Sequence, residues 1–144
     1  MWIVVFSSLI ILIDQITKFL VRNNLLESQQ INIIANLLSL RFIKNEGAAF
    51  GILEGQRHLF IIVTFFFFAL LYYLYKKELS DNLSSKLALI FLIGGSIGNL
   101  IDRISYHYVI DFIAVANFPV FNVADIFIFF GIILLLFNLL FREN

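Results

Sequence analysis

The chain has 144 residues, 61% of them hydrophobic, with ten basic and ten acidic side chains and a formal net charge of +0. At a mean hydropathy of +0.96, a chain this short carries more apolar surface than one soluble domain could bury, so residues 1–144 read as a single integral membrane domain. The balanced charge argues against a nucleic-acid partner. The absence of cysteine excludes a disulfide, a thiol nucleophile and a Cys-ligated metal, and His58 and His107 lack the spacing of a zinc-protease helix.

The first predicted span covers about 2–21. It has no basic region before its apolar run and carries Asp14 and Lys18, so it reads as a retained helix rather than a cleavable signal peptide. Residues 31–43 are apolar but interrupted by Asn32, Asn36 and Arg41, too short and too polar to span. The alternation through Leu38, Ser39, Leu40, Arg41 and Phe42 suits a half-buried strand, so 22–57 reads as a long extramembrane segment with extended structure near 37–43. Further spans follow at about 59–75, 86–104 and 124–141. The loop at 105–122 holds Pro119, the only proline, which stops a helix from running through it. The predicted fold is therefore an all-α membrane protein of four transmembrane helices with some β-like structure outside the bilayer.

Four spans impose a parity. The end of span 1, segment 22–57, the end of span 3, loop 105–122 and the start of span 4 share one face of the membrane. Asp14, Lys18, Asn45, Asn99, Asp102, Arg103, Asp111, Asn122 and Asp125 all fall there. The opposite face holds Lys76, Lys77, Glu78, Asp81, Lys86, Arg142 and Glu143, a solvated rim. Basic residues are nearly equal on the two faces, so charge does not set the orientation.

Within this cluster several roles stand open. Asp14 and Lys18, at i and i+4, read either as a structural ion pair or as a substrate contact. Gly94, Gly95, Ser96 and Gly98 allow a neighbouring helix close, and Asn99, Asp102 and Arg103 read as a packing and hydrogen-bond network or as direct participants. Asn45, beside Gly47 and Gly51, marks either a turn or an amide that binds peptide backbone. Asp111 lies in a β-favouring apolar run and Asp125 where the last span begins, with a chain reversal between them. Each has an ordinary explanation alone, as a loop acid and as a first-turn acid at a helix N-terminus. Brought together, they form a carboxylate pair that shares one proton, so that the charged member takes a proton from water and the neutral member donates one. The helix N-terminus assigns the charge to Asp125, as base, and the proton to Asp111. His58 and His107 read as interfacial residues. The rival readings are a proton- or ion-coupled carrier, which needs acids spread through the bilayer depth, and a non-enzymatic membrane partner docking through 22–57.

Five motifs together resemble those of lipoprotein signal peptidase, also called signal peptidase II. They are Asp14-Gln15-Ile16-Thr17-Lys18, Asn45-Glu46-Gly47-Ala48-Ala49-Phe50-Gly51, the run from Gly94 to Arg103, Val109-Ile110-Asp111-Phe112, and Phe121-Asn122-Val123-Ala124-Asp125. Their order along nearly the whole chain makes the resemblance specific. It implies a cofactor-free aspartic endopeptidase of the bacterial inner membrane that cleaves diacylglyceryl-modified prolipoproteins just before the lipidated cysteine. It implies Asp111 and Asp125 as the catalytic pair, and Asp14, Lys18, Asn45, Asn99, Asp102, Arg103 and Asn122 as supporting residues. It further implies both termini in the cytoplasm, an extracytoplasmic β-like cradle from 22–57 and 105–122 over the site, contact with membrane lipid, and sensitivity to the cyclic peptide globomycin. Asn45 or Asn122 is expected to hold the unwound backbone of the substrate.

Overall fold

A computed structural model describes residues 1–27, 29–35, 37–48, 52–79 and 82–141. Four helices, α1 (Trp2–Asn24), α2 (Arg57–Lys77), α3 (Leu83–Ser105) and α4 (Val123–Leu140), are long and apolar enough to cross a membrane. Their 18 to 23 residues span roughly 27 to 35 Å at about 1.5 Å per residue, matching a hydrocarbon core of about 30 Å. The expected spans lie inside these helices, apart from the last residue of the fourth. The helices run up to three residues further at either end, because hydrogen-bonded turns continue into the polar interface. Apolar side chains such as Phe65, Phe66 and Tyr72 on α2 point outward, as a lipid-facing surface requires. Of the polar rim, Asp81, Arg142 and Glu143 lie outside the described residues, as do Ala49, Phe50 and Gly51 of the second motif.

α3 is the central helix, packed along both α1 and α4 and more lightly against α2. Its small residues set that packing. A Cβ on Gly94 would sit 2.9 Å from Ile10 Cβ on α1, and one on Gly95 would sit 2.5 Å from the Ala124 carbonyl oxygen on α4. Any larger side chain would push α3 off a neighbour. At one end, Leu71, Ala88, Leu89, Leu92 and Leu135 form a wholly apolar cluster.

The other end carries a three-stranded antiparallel sheet in the order β1 (Gln30–Ile34), β2 (Leu38–Asn45), β3 (Val109–Val115). The expected extended stretch near 37–43 is part of β2, and the apolar run around Asp111 is β3. β1 lies within the 22–57 segment for which the resemblance implies a cradle, outside the stretch that the residues themselves mark as extended; all five of its residues are exposed. Val21 and Leu25, at and just past the end of α1, pack with Phe42, Ile110 and Phe112, which seats the sheet on the helix bundle. After β3 the chain turns through Ala116, at φ 42°, and doubles back at Pro119. Phe121 then pairs with Ile113, exchanging hydrogen bonds of 2.8 and 3.0 Å. This reversal delivers the chain to the start of α4 beside β3.

Candidate active site

The polar residues that parity assigns to one face meet in one connected network. Its base is Lys18, 1% exposed, whose ammonium lies 2.9 Å from Asp14 Oδ2, 2.9 Å from Asp102 Oδ2 and 2.9 Å from Asn99 Oδ1. Both aspartates are fully buried. Each also accepts a backbone N–H: Ala124 donates to Asp14 at 2.9 Å and Ile110 to Asp102 at 3.0 Å. The ion pair on α1 therefore pins α3, the start of α4 and the start of β3 at once. Such a charge group is tolerable in a span only because every member is paired and hydrogen-bonded.

Above this base stand three asparagines and two aspartates. The register sets Asp111 opposite Ile43 and Val109 opposite Asn45, so Asn45 is the diagonal neighbour of Asp111 on the same sheet face. Its amide donates to Asp111 Oδ2 at 2.7 Å, while its Oδ1 accepts from the Gly47 N–H at 2.9 Å. Asn122 donates to Asp111 Oδ1 at 2.7 Å and to Asn99 Oδ1 at 3.1 Å. Asn99, held at Oδ1 by Lys18, turns its amide nitrogen to Asp125 Oδ1 at 2.7 Å. Asp125 and Asn122 close a capping box at the start of α4: the Asp125 N–H donates to Asn122 Oδ1 at 2.9 Å, and the Asn122 N–H to Asp125 Oδ2 at 3.1 Å. The helix-cap explanation of Asp125 thus holds, and the cap aims its carboxylate at the site.

Asp111 is 2% exposed and Asp125 half-buried, and both line a cavity of about 480 Å³ with Asn45, Asn99 and Arg103. Burial, reinforced by the negative charge of Asp125, pushes the Asp111 carboxyl up from 3.8 to about 7, against the amide bonds from Asn45 and Asn122 that favour its anion. The Arg103 guanidinium lies over the Phe60 ring, 4.7 Å from its centroid. His58 and His107 are exposed.

Nine expected site residues are thereby joined in one place: eight through hydrogen bonds or ion pairs to one another, and Arg103 through the shared cavity wall. Gln15 was not singled out. Its amide bridges Asp14 (3.2 Å), the Gly98 carbonyl (3.1 Å) and Asp102 (3.0 Å), and its signal was a polar amide inside an apolar span. The apolar walls, Phe118, Phe121, Ile126, Phe129 and Phe130, carried no such signal.

The family model of Signal peptidase (SPase) II matches residues 6–141. The chain belongs to that family. The lipoprotein signal peptidase of Caldicellulosiruptor bescii is 42% identical over 139 residues, 96% of this chain and 89% of its own. That of Halothermothrix orenii is 42% identical over 137 residues, covering 94% and 93%. A bacterial membrane enzyme solved by the in meso method at 2.3 Å superposes with a TM-score of 0.89 at 32% identity, covering 96% of this chain and 87% of that one. Membership in the family makes the protein an aspartic-type peptidase and a multi-pass membrane hydrolase.

Proposed function

We propose that the protein is the endopeptidase that removes the signal peptide from diacylglyceryl-modified prolipoproteins, and that Asp111 and Asp125 carry the reaction. The observation that supports this most is the enclosure of both carboxylates in one cavity, oriented by Asn45, Asn99 and Asn122. Asp125 is the base: its carboxylate takes a proton from water as the oxygen attacks the scissile carbonyl carbon. Asp111, protonated, gives its proton to the carbonyl oxygen. Collapse of the tetrahedral intermediate breaks the C–N bond: Asp125 passes the proton it took from water to the leaving amine, and the re-forming carbonyl returns a hydroxyl proton to Asp111, which restores the pair.

The supporting residues divide by what they touch. Asn99 and Asn122 orient the dyad, and Lys18 with Asp14 and Asp102 holds Asn99 and the two backbone segments that carry the aspartates. Asn122 uses both amide protons within the site, whereas Asn45 uses one, which favours Asn45 as the group that binds substrate backbone. Arg103 supplies positive charge at the cavity wall. The chain acts as one membrane domain in the bacterial inner membrane. Its termini are cytoplasmic, the sheet lies over the site on the extracytoplasmic side, and the lipidated cysteine stays among the bilayer lipids. Globomycin competes for the same cavity.

The test is cleavage by purified protein of a diacylglyceryl prolipoprotein, with product masses read by mass spectrometry. A single cut just before the modified cysteine is expected. No cut, or a cut elsewhere, would refute the assignment. Against the carrier reading, which needs acids through the depth of the bilayer, the buried acids among the described residues, Asp14, Asp102 and Asp111, all belong to this one network.

A further inference from the structure

A second cavity, of about 280 Å³, continues from the first on the other side of Asp111 and Asn45. The two share a wall that includes Gly47, Pro119 and Val120. Their chemistry differs. The first is walled by Phe118, Phe129 and Phe130, with Phe129 and Phe130 exposed on the lipid-facing side of α4. The second is lined by Lys44, Glu46 and Glu54.

The charges in the second cavity are not balanced. Lys44 is already committed, forming an ion pair with Glu27 while its ammonium lies 5.5 Å from the Tyr108 ring centroid. Glu46 and Glu54 are exposed; Glu46 also acts on the Lys44 ammonium through space, and the two carboxylates still outnumber the one cation lining the cavity. The fold holds them at one rim. Ala48 N–H donates to the Ile52 carbonyl at 2.8 Å, and a Cβ on Gly47 would lie 2.7 Å from that oxygen and 3.2 Å from the Glu54 nitrogen. Only glycine lets the two ends of this loop close up, and closure sets the Glu54 backbone against Gly47, the residue after Glu46, so that both carboxylates line the same cavity.

Peptide hydrolysis requires chain on both sides of the reacting carbonyl. An extended chain advances about 3.3 Å per residue, so two or three residues past the cut reach about 7–10 Å from it. This rests on the peptidase reading above. With the apolar signal peptide and lipid on the phenylalanine side, the polar chain that follows the cut has the second cavity as its continuation. We propose that the second cavity binds the mature side of the substrate, two to three residues past the cut, and that Glu46 and Glu54 make it favour basic over acidic side chains there.

Three diacylglyceryl prolipoprotein peptides, alike except for Lys-Lys, Ser-Ser or Asp-Asp immediately after the modified cysteine, would be cleaved by the full-length protein in nonionic micelles. The expected order of kcat/KM is Lys-Lys, Ser-Ser, Asp-Asp, with about a tenfold spread at low salt that narrows as salt screens the two carboxylates. In Glu46→Lys/Glu54→Lys the order should invert, a change that general damage to the fold would not produce. Equal rates with the parent protein, or an unchanged order in the double variant, would overturn the inference while leaving the peptidase reading intact. Failure to cleave the Ser-Ser peptide would overturn both.

Discussion

Lys18→Met tests the base of the site. The substitution keeps the length of the side chain and removes its charge. Three contacts of 2.9 Å vanish together, and Asp14 and Asp102, both at zero exposure, lose their cation. What remains to each is one backbone N–H and a share of the Gln15 amide. Removing one partner of a buried ion pair costs about 3–5 kcal/mol, because the remaining charge stays buried and uncompensated. In thermal unfolding in detergent this is a midpoint lower by roughly 10 °C. Asp14→Asn added to Lys18→Met should restore about half of the loss. It removes one of the stranded charges, keeps an acceptor for Ala124 N–H and offers Asp102 a new donor. Lys18→Met melting within about 2 °C of the parent would refute the reasoning, as would a double variant no more stable than the single one.

Three further outcomes follow from the same geometry. Asp111 keeps its proton to about pH 7 when folded but releases it near 3.8 when unfolded. The unfolded chain therefore binds fewer protons between these values, and this group should weaken the fold as pH rises through that window. On the dyad mechanism kcat/KM should also fall on an alkaline limb centred near 7, and a rate flat from pH 6 to 9, roughly the window around that midpoint, would contradict it. Asn45→Ala removes a 2.7 Å bond to Asp111 and should lower kcat/KM by roughly ten- to a hundredfold, read by peptide cleavage, with little change in melting temperature. Gly95→Ala drives a methyl to 2.5 Å from the Ala124 carbonyl and 2.8 Å from Ile128, displacing the turn that carries Asp125. It should cost about 1–3 kcal/mol in unfolding assays and reduce turnover.

The four spans were legible because long apolar runs in a short chain leave no other fold, and Pro119 marked the reversal between Asp111 and Asp125. Parity alone gathered these polar residues at one end of the bundle, where they meet. The small residues of α3 were legible as a packing surface, but not which neighbour each would meet. Gly94 faces α1 and Gly95 faces α4 because successive residues point about 100° apart around a helix. β1 lies within the 22–57 cradle that the resemblance implies, but its own residues do not mark it, for a physical reason. No residue from Gln30 to Ile34 is buried on either face, so no alternation betrays a strand whose partner β2 supplies all its order. The pairing of Asp14 with Lys18 was visible at i and i+4, whereas the third member, Asp102, depends on the rotation of α3 against α1. Nor does a sequence say which way an amide points. That Asn99 turns its oxygen to Lys18 and its nitrogen to Asp125 emerges only when both neighbours are in place.

The central claim, that two carboxylates and no other group perform the hydrolysis, is tested most directly by Asp111→Asn and Asp125→Asn. Both replacements are close in size to the aspartates but give up one of the two hydrogen bonds that each carboxylate accepts, so the folding of each variant is verified by its melting temperature first. Single-turnover cleavage of a diacylglyceryl prolipoprotein would be measured for each folded variant beside the parent. The account predicts that each loses cleavage by at least about a thousandfold while still binding substrate. Retention of more than about a tenth of the parent rate by either variant would contradict it.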